Sequence, residues 1–224
     1  MANLDCNRDP LILVGHSWGA ALGLLYAKAH PDGVSAFIGV NPLISTRAQQ
    51  QAEFDFVRTQ ATQHGDTSVL KDLRKIDAPP FETAQKQLAM EKLTQHFRGV
   101  YYRQPNRTWV MIRGIASGLV TPWGIWRIIH ANNVSLEAMH HELAKLDLTR
   151  SVTEVNVPLL FFPGRRDHHL DANIAAQYLD KLRAPAKRVV WFENSAHNVP
   201  FEEPDLFNAK VVEELRSAGV NGLR

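Results

Sequence analysis

Residues 11–25 read Leu-Ile-Leu-Val-Gly-His-Ser-Trp-Gly-Ala-Ala-Leu-Gly-Leu-Leu, and this stretch decides the fold. Its first four residues are branched and apolar, which is typical of a strand buried on both faces of a sheet. The small residues that follow, at positions 19, 20, 21 and 23, favour a helix that packs closely against that sheet. The stretch therefore predicts a strand, a sharp turn and a buried helix.

The turn contains Gly15-His16-Ser17-Trp18-Gly19, which has the Gly-x-Ser-x-Gly spacing of a nucleophile elbow. A turn this tight strains the backbone of Ser17, so we expect both glycines to be needed because a side chain at either position would clash. The Ser17 hydroxyl would project at a helix N-terminus, where the helix dipole favours developing negative charge. The spacing alone is weak evidence, and the interpretation depends on partner residues further along the chain.

Length and composition narrow the function classes. The 224 residues are 45% hydrophobic and 21% charged, as in an ordinary globular protein, and the net charge of +2 gives no electrostatic case for nucleic acid. The single cysteine, Cys6, excludes an intramolecular disulfide and fits a reducing compartment. Because we find neither a secretory signal nor a membrane-spanning stretch in the sequence, we expect a cytoplasmic protein.

The order of predicted elements indicates an α/β protein. The helix after Ser17 should end near His30, and a second buried strand should cover Ser35–Val40. Strands are then predicted at Leu159–Phe162 and Lys187–Glu193, each followed by a helix. Asp171 is placed to cap the first of these helices, and the second should open near Pro204. Strand–helix–strand units with short returns favour parallel pairing, so we expect a mostly parallel sheet of about four strands.

Residues 45–150 have a different sequence pattern, in which amphipathic segments alternate with Gly and Pro. We interpret this region as a helical cap inserted into a discontinuous core of residues 1–44 and 151–224. Ser135 is placed to cap a helix that carries Leu136, Met139 and Leu143 on one face. Most of its bulky apolar side chains should form the cap's own core, while some face the turn at Ser17. The candidate substrate-binding residues are Trp109, Trp123 and Trp126.

Two residues at the ends of later strands complete a catalytic constellation with Ser17. Asp167 follows the Leu159–Phe162 strand, and His197 follows the Lys187–Glu193 strand. In open α/β sheets, functional groups lie just past the carboxyl ends of strands. Neutral His197 would accept the proton of Ser17, Asp167 would orient the imidazole, and the N–H of Trp18 would stabilise the oxyanion. This chemistry needs neither a metal nor an organic cofactor.

These motifs, together with Ser195-Ala196-His197-Asn198-Val199-Pro200-Phe201-Glu202-Glu203-Pro204, resemble the α/β-hydrolase superfamily and most closely its proline-iminopeptidase-like branch. The likeness covers nearly the whole chain and is loose in the cap. It implies an α/β-hydrolase fold and a serine hydrolase acting on small esters or on N-terminal prolyl residues. We expect a carboxylesterase that takes small-molecule esters.

One departure from the family concerns the N-terminus. The family normally has further strands and a second oxyanion donor before the nucleophile strand, whereas only Met1–Pro10 precede it here. The Leu11–Val14 strand would then lie at an edge of the sheet, which is a template for pairing. We expect a homo-oligomer that covers this edge, with a partner chain or Asn41 supplying the second donor.

Several alternatives stay open at this stage. A prolyl aminopeptidase would need an acidic residue in the cap to bind the substrate amine, and the candidates are Glu53, Glu82, Glu91, Glu137 and Glu142. A degraded hydrolase fold that binds a ligand without turnover would also fit a missing N-terminal segment. Asp171 is the runner-up acid, and Arg165 and Arg166 are candidates for a substrate carboxylate. The pairs His140-His141 and His168-His169 lack metal-ligand spacing, so we predict no metal site; His168 and His169 instead adjoin the predicted site entrance.

Overall fold

The computed structural model describes residues 10–103 and 107–219, and within these ranges the chain forms four strands and ten α-helices. The strands are β1 (Leu11–His16), β2 (Val34–Val40), β3 (Leu159–Phe162) and β4 (Lys187–Val189). The helices are α1 (Trp18–Ala29), α2 (Thr46–Gln63), α3 (Thr67–Ile76), α4 (Ala84–His96), α5 (Arg107–Ala116), α6 (Pro122–Ala144), α7 (Leu148–Ser151), α8 (Ala172–Lys181), α9 (Val199–Glu202) and α10 (Pro204–Ser217). Within the described ranges, no helix is both long and apolar enough to cross a membrane.

The strands form one parallel sheet in the order β1-β2-β3-β4, which confirms the predicted α/β class. One apolar cluster joins α1 and α8 to one face of the sheet, where Phe37 and Phe161 are fully buried. A second cluster joins α9 and α10 to the other face through Ile38 and Phe162. The sheet is therefore the middle of three layers, and its carboxyl edge is left open for the loops after each strand.

Helix α1 packs on the sheet as closely as its small residues predicted. A Cβ atom added at Gly23 would lie 2.6 Å from the ring of Phe37. The outer side of this unit is open, because β1 is an edge strand of the described sheet. Leu11 and Val14 are 46% and 54% exposed, so β1 is not buried on both faces as its composition alone suggested. The predicted edge position of this strand is the arrangement observed.

Helices α2–α7 lie between β2 and β3, and we call this region the helical insertion. Its first three helices enclose a cluster of their own that includes Val57, Leu73 and Met90. Helix α6 runs unbroken from Pro122 to Ala144, so the expected cap at Ser135 is wrong. The cap of this helix is Thr121, whose hydroxyl accepts a hydrogen bond from the N–H of Gly124 at 3.0 Å.

The C-terminal part differs from expectation in one strand. Strand β4 ends at Val189 rather than Glu193, although Phe192 still bridges to Gly164 beyond the regular ladder. Asp171 caps α8, as predicted, and accepts a hydrogen bond from the N–H of Asn173 at 2.8 Å. That role accounts for its carboxylate without any catalytic one.

Candidate active site

Ser17 lies in a strained turn between β1 and α1. Its φ and ψ angles are 59° and −127°, a conformation that L-residues rarely adopt. Its N–H donates to the carbonyl of Val40 at 3.0 Å, and its own carbonyl accepts from the N–H of Leu43 at 3.1 Å. Two neighbouring segments therefore hold the strained backbone in place and present the side chain at the carboxyl edge of the sheet.

The two glycines of the motif are not equivalent. A Cβ atom at Gly15 would lie 2.6 Å from the Cα of Ala20 and from the carbonyl oxygen of Gly19, so a side chain there is excluded by backbone. A Cβ atom at Gly19 would meet nothing within 4 Å. The expectation that both glycines are required for steric reasons is therefore correct for Gly15 and wrong for Gly19.

Asp167 and His197 meet at the ends of β3 and β4. Nδ1 of His197 donates to Oδ2 of Asp167 at 2.8 Å, and both side chains are almost completely buried. The other carboxylate oxygen of Asp167 accepts from the N–H groups of His169 and Leu170, each at 2.9 Å. When Asp167 is ionised, Nδ1 of His197 is the donor in this bond, and Nε2 is then the basic nitrogen.

Burial dominates the titration of this pair. It lowers the pKa of His197 well below its usual value, and the neighbouring His169 acts in the same direction. Burial also raises the pKa of Asp167 to about 7, against the opposing effects of His169 and of the two N–H donors. At neutral pH His197 is therefore a neutral imidazole, which is the form that a general base needs.

Asn41, the first residue after β2, ties the acid and histidine loops together. Its Oδ1 accepts from the N–H of Gly164 at 2.8 Å, and its Nδ2 donates to the carbonyls of Ala196 and His197 at 3.0 and 2.8 Å. Both amide hydrogens are thus engaged, so the suggestion that Asn41 supplies the second oxyanion donor is wrong. The loops approach so closely that a Cβ atom at Gly164 would lie 2.0 Å from the Ala196 carbonyl oxygen.

His16 supports the same loop from the other side. Its Nε2 donates to the carbonyl of His197 at 2.7 Å, and the two rings lie 4.6 Å apart. Burial, followed by the proximity of His197, lowers the pKa of His16 to about 4. His16 is therefore neutral near pH 7 and acts as a hydrogen-bond donor to the backbone.

Ser17 and His197 open onto one cavity of about 330 Å³, which we call the main cavity. It lies between the sheet edge and helices α4 and α6, and among its lining residues are Trp18, Glu91, Leu136, Met139 and His169. Among the described residues, no hydrogen bond joins the Ser17 hydroxyl to His197; in enzymes such a contact often tightens only when substrate binds. Trp18 is the first residue of α1, so its N–H has no acceptor within the helix and remains available to an oxyanion.

Two of the three candidate substrate-binding tryptophans, Trp123 and Trp126, lie away from the main cavity. Trp123 and Trp126 stack on each other with ring centroids 4.6 Å apart, and they are 64% and 53% exposed. Neither is among the described residues that line the main cavity, which α6 contacts through Leu136, Met139 and Leu143 instead. The side chain of Trp109 lies outside the described part of the structure.

A second carboxylate–imidazole pair lies beside the first. Nδ1 of His169 is 2.7 Å from Oε1 of Glu53, a fully buried residue of α2, and the His169 ring lies 4.9 Å from that of His197. Burial alone would lower the pKa of His169, but the Glu53 carboxylate outweighs that effect and raises it to about 10. The pair therefore places an imidazolium against the ring of His197.

The protonation of Glu53 follows from the donors around it. The N–H of Phe81 donates to Oε1 of Gln50, so the Gln50 amide nitrogen faces Gln87 and donates to it at 2.7 Å. The amide nitrogen of Gln87 then donates to Oε2 of Glu53, and Thr94 donates to Oε1. Burial raises the pKa of Glu53, and His169 and Thr94 act against that effect. The hydrogen bonds to both of its oxygens favour the carboxylate, which pairs with a positive charge on His169.

Other candidate residues have structural partners. Arg165 forms a two-nitrogen contact with Glu193 and stacks over Trp191 at 3.5 Å, so its guanidinium is already engaged. His168 stacks on Phe56 with centroids 3.8 Å apart. Within the described ranges, no three His, Cys, Asp or Glu side chains are grouped as metal ligands.

Sequence reasoning placed Glu53 among five acidic candidates and did not assign Asn41 its role between the loops. The partners of these residues lie more than 100 positions away, as in the pairs Glu53–His169 and Asn41–Gly164. The signal in the sequence was the position of Glu53 on a predicted helix. A carboxylate that is buried on such a helix needs a partner.

Comparisons with known proteins agree with this architecture. The model of the alpha/beta hydrolase fold family matches residues 6–204. The chain is 29% identical to the "Probable aminopeptidase YbaC" of Bacillus subtilis over 90% of its own length and 64% of that protein, and 25% identical to the human "Monoacylglycerol lipase ABHD6" over 96% and 57%. The crystal structure of a proline iminopeptidase from Mycobacterium smegmatis superposes with a TM-score of 0.59 at 19% identity, over 94% of this chain and 66% of that one. The chain thus spans less than two thirds of these relatives' length.

Proposed function

Because the chain belongs to the alpha/beta hydrolase fold family, we propose that it is a serine hydrolase that cleaves small carboxylic esters through an acyl-enzyme. The observation that carries this proposal is that Ser17 and His197 line one cavity, with Asp167 hydrogen-bonded to His197 behind it. Ser17 is held in a strained turn, and the Asp167–His197 pair is joined at 2.8 Å on the neighbouring loops. The similarity to a lipase supports an ester substrate, and the similarity to aminopeptidases supports the wider class.

The proposed reaction uses the groups in sequence. Oγ of Ser17 attacks the ester carbonyl carbon while its proton passes to Nε2 of His197, and the N–H of Trp18 stabilises the oxyanion. His197 then protonates the departing alkoxide, which leaves an acyl group on Ser17. Water attacks the acyl carbon with His197 again accepting a proton, and the acid is released from Ser17.

Labelling with a fluorophosphonate, followed by mass spectrometry of the Ser17 peptide, tests the nucleophile. We expect one adduct at Ser17, its loss in Ser17→Ala, and labelling slower by about 10²-fold or more in His197→Ala because the base is removed. Ser135→Ala is the matched control, since Ser135 lines the same cavity without backbone strain. Absence of an adduct, or labelling unaffected by His197→Ala, would favour a protein that binds a ligand without turnover.

A second candidate is an aminopeptidase, and Glu91 is the observation that favours it. Glu91 lies on α4, lines the main cavity and is close enough to raise the pKa of His197. A carboxylate in this position is suited to the ammonium group of an N-terminal residue. Comparison of a prolyl nitroanilide with a nitrophenyl butyrate distinguishes the two activities, and faster turnover of the anilide would replace the ester proposal. Glu91→Gln should then suppress anilide cleavage selectively, with Glu137→Gln as the matched control on α6.

A further inference from the structure

A second, smaller cavity of about 100 Å³ also reaches Ser17 and Trp18, and we call it the side cavity. It extends under the helical insertion between Leu43 of the core and Leu143 of α6. We propose that the side cavity is the acyl-binding pocket and that it takes straight aliphatic acyl chains of about four carbon atoms. This inference rests on the proposed ester hydrolysis and adds its substrate class.

The position of His197 decides which half of the ester enters which cavity. His197 must protonate the departing oxygen, so the leaving group has to lie on its side of Ser17. The main cavity contains His197, whereas the described lining residues of the side cavity do not include it. Both cavities contain Ser17 and Trp18, where the carbonyl carbon and the oxyanion would lie. The leaving group therefore occupies the main cavity, and the acyl chain enters the side cavity.

The chemistry of the side cavity favours an aliphatic chain. Leucines 43, 136, 143 and 170 line it. Two of its polar side chains are committed to other partners: Gln49 accepts from the N–H of Ile44 and donates to the carbonyl of Pro42, and Glu53 is surrounded by its own donors. These groups offer little to a polar substituent, and an apolar chain leaves their hydrogen bonds undisturbed.

The size of the side cavity sets the length of the chain. An apolar cavity of about 150 Å³ holds a benzene molecule, which has six carbon atoms, so 100 Å³ corresponds to about four. Longer chains would have to push α6 away from the core. The insertion thus limits chain length through the leucines of α6.

A series of nitrophenyl esters from acetate to decanoate tests the inference on the wild-type chain. We expect kcat/KM to be highest for acyl chains of about four carbons and to fall about tenfold or more for octanoate and decanoate. A flat series, or one that rises to decanoate, would overturn the acyl-pocket assignment while leaving hydrolysis by Ser17 intact. If no ester is cleaved and Ser17 takes no fluorophosphonate, the proposed function and this inference both fail.

Two variants separate the cavities. Leu43→Ala removes three carbon atoms from the side cavity alone, and the preferred chain should lengthen to about six or seven carbons. Met139→Ala enlarges only the main cavity and should leave the ranking of acyl chains unchanged, whatever its effect on the rate. Because Leu43 is buried, Leu136→Ala on the half-buried face of α6 provides a second enlargement that costs less stability. Leu136 lines both cavities, so its effect on the ranking of acyl chains is compared with that of Met139→Ala. An unchanged ranking in a folded Leu136→Ala or Leu43→Ala protein would contradict the assignment.

Discussion

Replacement of Asn41 by alanine should destabilise the chain severely, although Asn41 performs no step of the reaction. Its side chain is only 1% exposed and bonds three backbone groups of the acid and histidine loops. The His197 carbonyl keeps a partner in the variant because His16 also donates to it. The N–H of Gly164 and the carbonyl of Ala196 lose the partner that Asn41 provides, at about 1–3 kcal/mol each.

The backbone adds a further cost. Asn41 has a φ of 40°, in the left-handed region that asparagine tolerates better than alanine, which costs about 1–2 kcal/mol for an ordinary residue. We therefore expect Asn41→Ala to lower the free energy of unfolding by about 3–8 kcal/mol, measured by urea denaturation with circular dichroism. Asn41→Gly loses the same hydrogen bonds but avoids the cost of the positive φ, so it should be less destabilised than Asn41→Ala by about 1 kcal/mol.

An exposed asparagine provides the control for this experiment. Asn133→Ala, at an exposed position of α6 outside the lining of both cavities, should change the free energy of unfolding by less than about 0.5 kcal/mol. A loss below about 1 kcal/mol in Asn41→Ala would show that water replaces the amide at no great cost. The account of Asn41 as the tie between the two loops would then be refuted.

Three further predictions concern charge, backbone and surface. The proposed reaction requires neutral His197, and the positive charge on His169 helps to lower the pKa of His197. His169→Gln should therefore move the acid limb of the kcat/KM profile to higher pH, and an unmoved limb would contradict this. Gly19→Ala should stay folded and take up fluorophosphonate, whereas Gly15→Ala, which meets backbone at 2.6 Å, should lose several kcal/mol of stability in urea unfolding. The exposed apolar face of β1 and α1 should drive self-association. Leu22→Glu, at a position that is 60% exposed, should lower the oligomer mass measured by light scattering. A wild-type monomer at micromolar concentration would contradict this prediction.

The core of the fold was predictable because its signals are local. The run at Leu11–Val14 and the small residues after Trp18 specify β1 and α1 through neighbouring positions in the chain. The same holds for Asp171, whose capping bond spans two residues. The positions of Asp167 and His197 after strands follow from the rule that parallel strands end at one edge.

The rest depends on contacts that sequence order does not reveal. Ser135 has the chemistry of a cap, but α6 begins 13 residues earlier, where Thr121 makes the capping hydrogen bond and Pro122 occupies the first helical position. Trp123 and Trp126 have the composition of a binding site, yet the turn of α6 directs them outward. The charge on His169, which lies in a turn, depends on Glu53 in α2, 116 positions earlier.

The two ends of the helical insertion lie side by side, and this contact affects the order in which the chain folds. Roughly 120 residues separate β2 from β3, and closing a flexible loop of that length costs about 4 kcal/mol of chain entropy. Ser45 and Asp147 lie side by side in a short bridge, and the N–H of Leu148 donates to the carbonyl of Ile44. An insertion that folds first therefore leaves an effective loop of roughly 17 residues and lowers the closure cost by about 2 kcal/mol. The helices that cover the cavity would then speed the pairing of β3 with β2. Asp167 and His197 would reach Ser17 only after the helical insertion has folded.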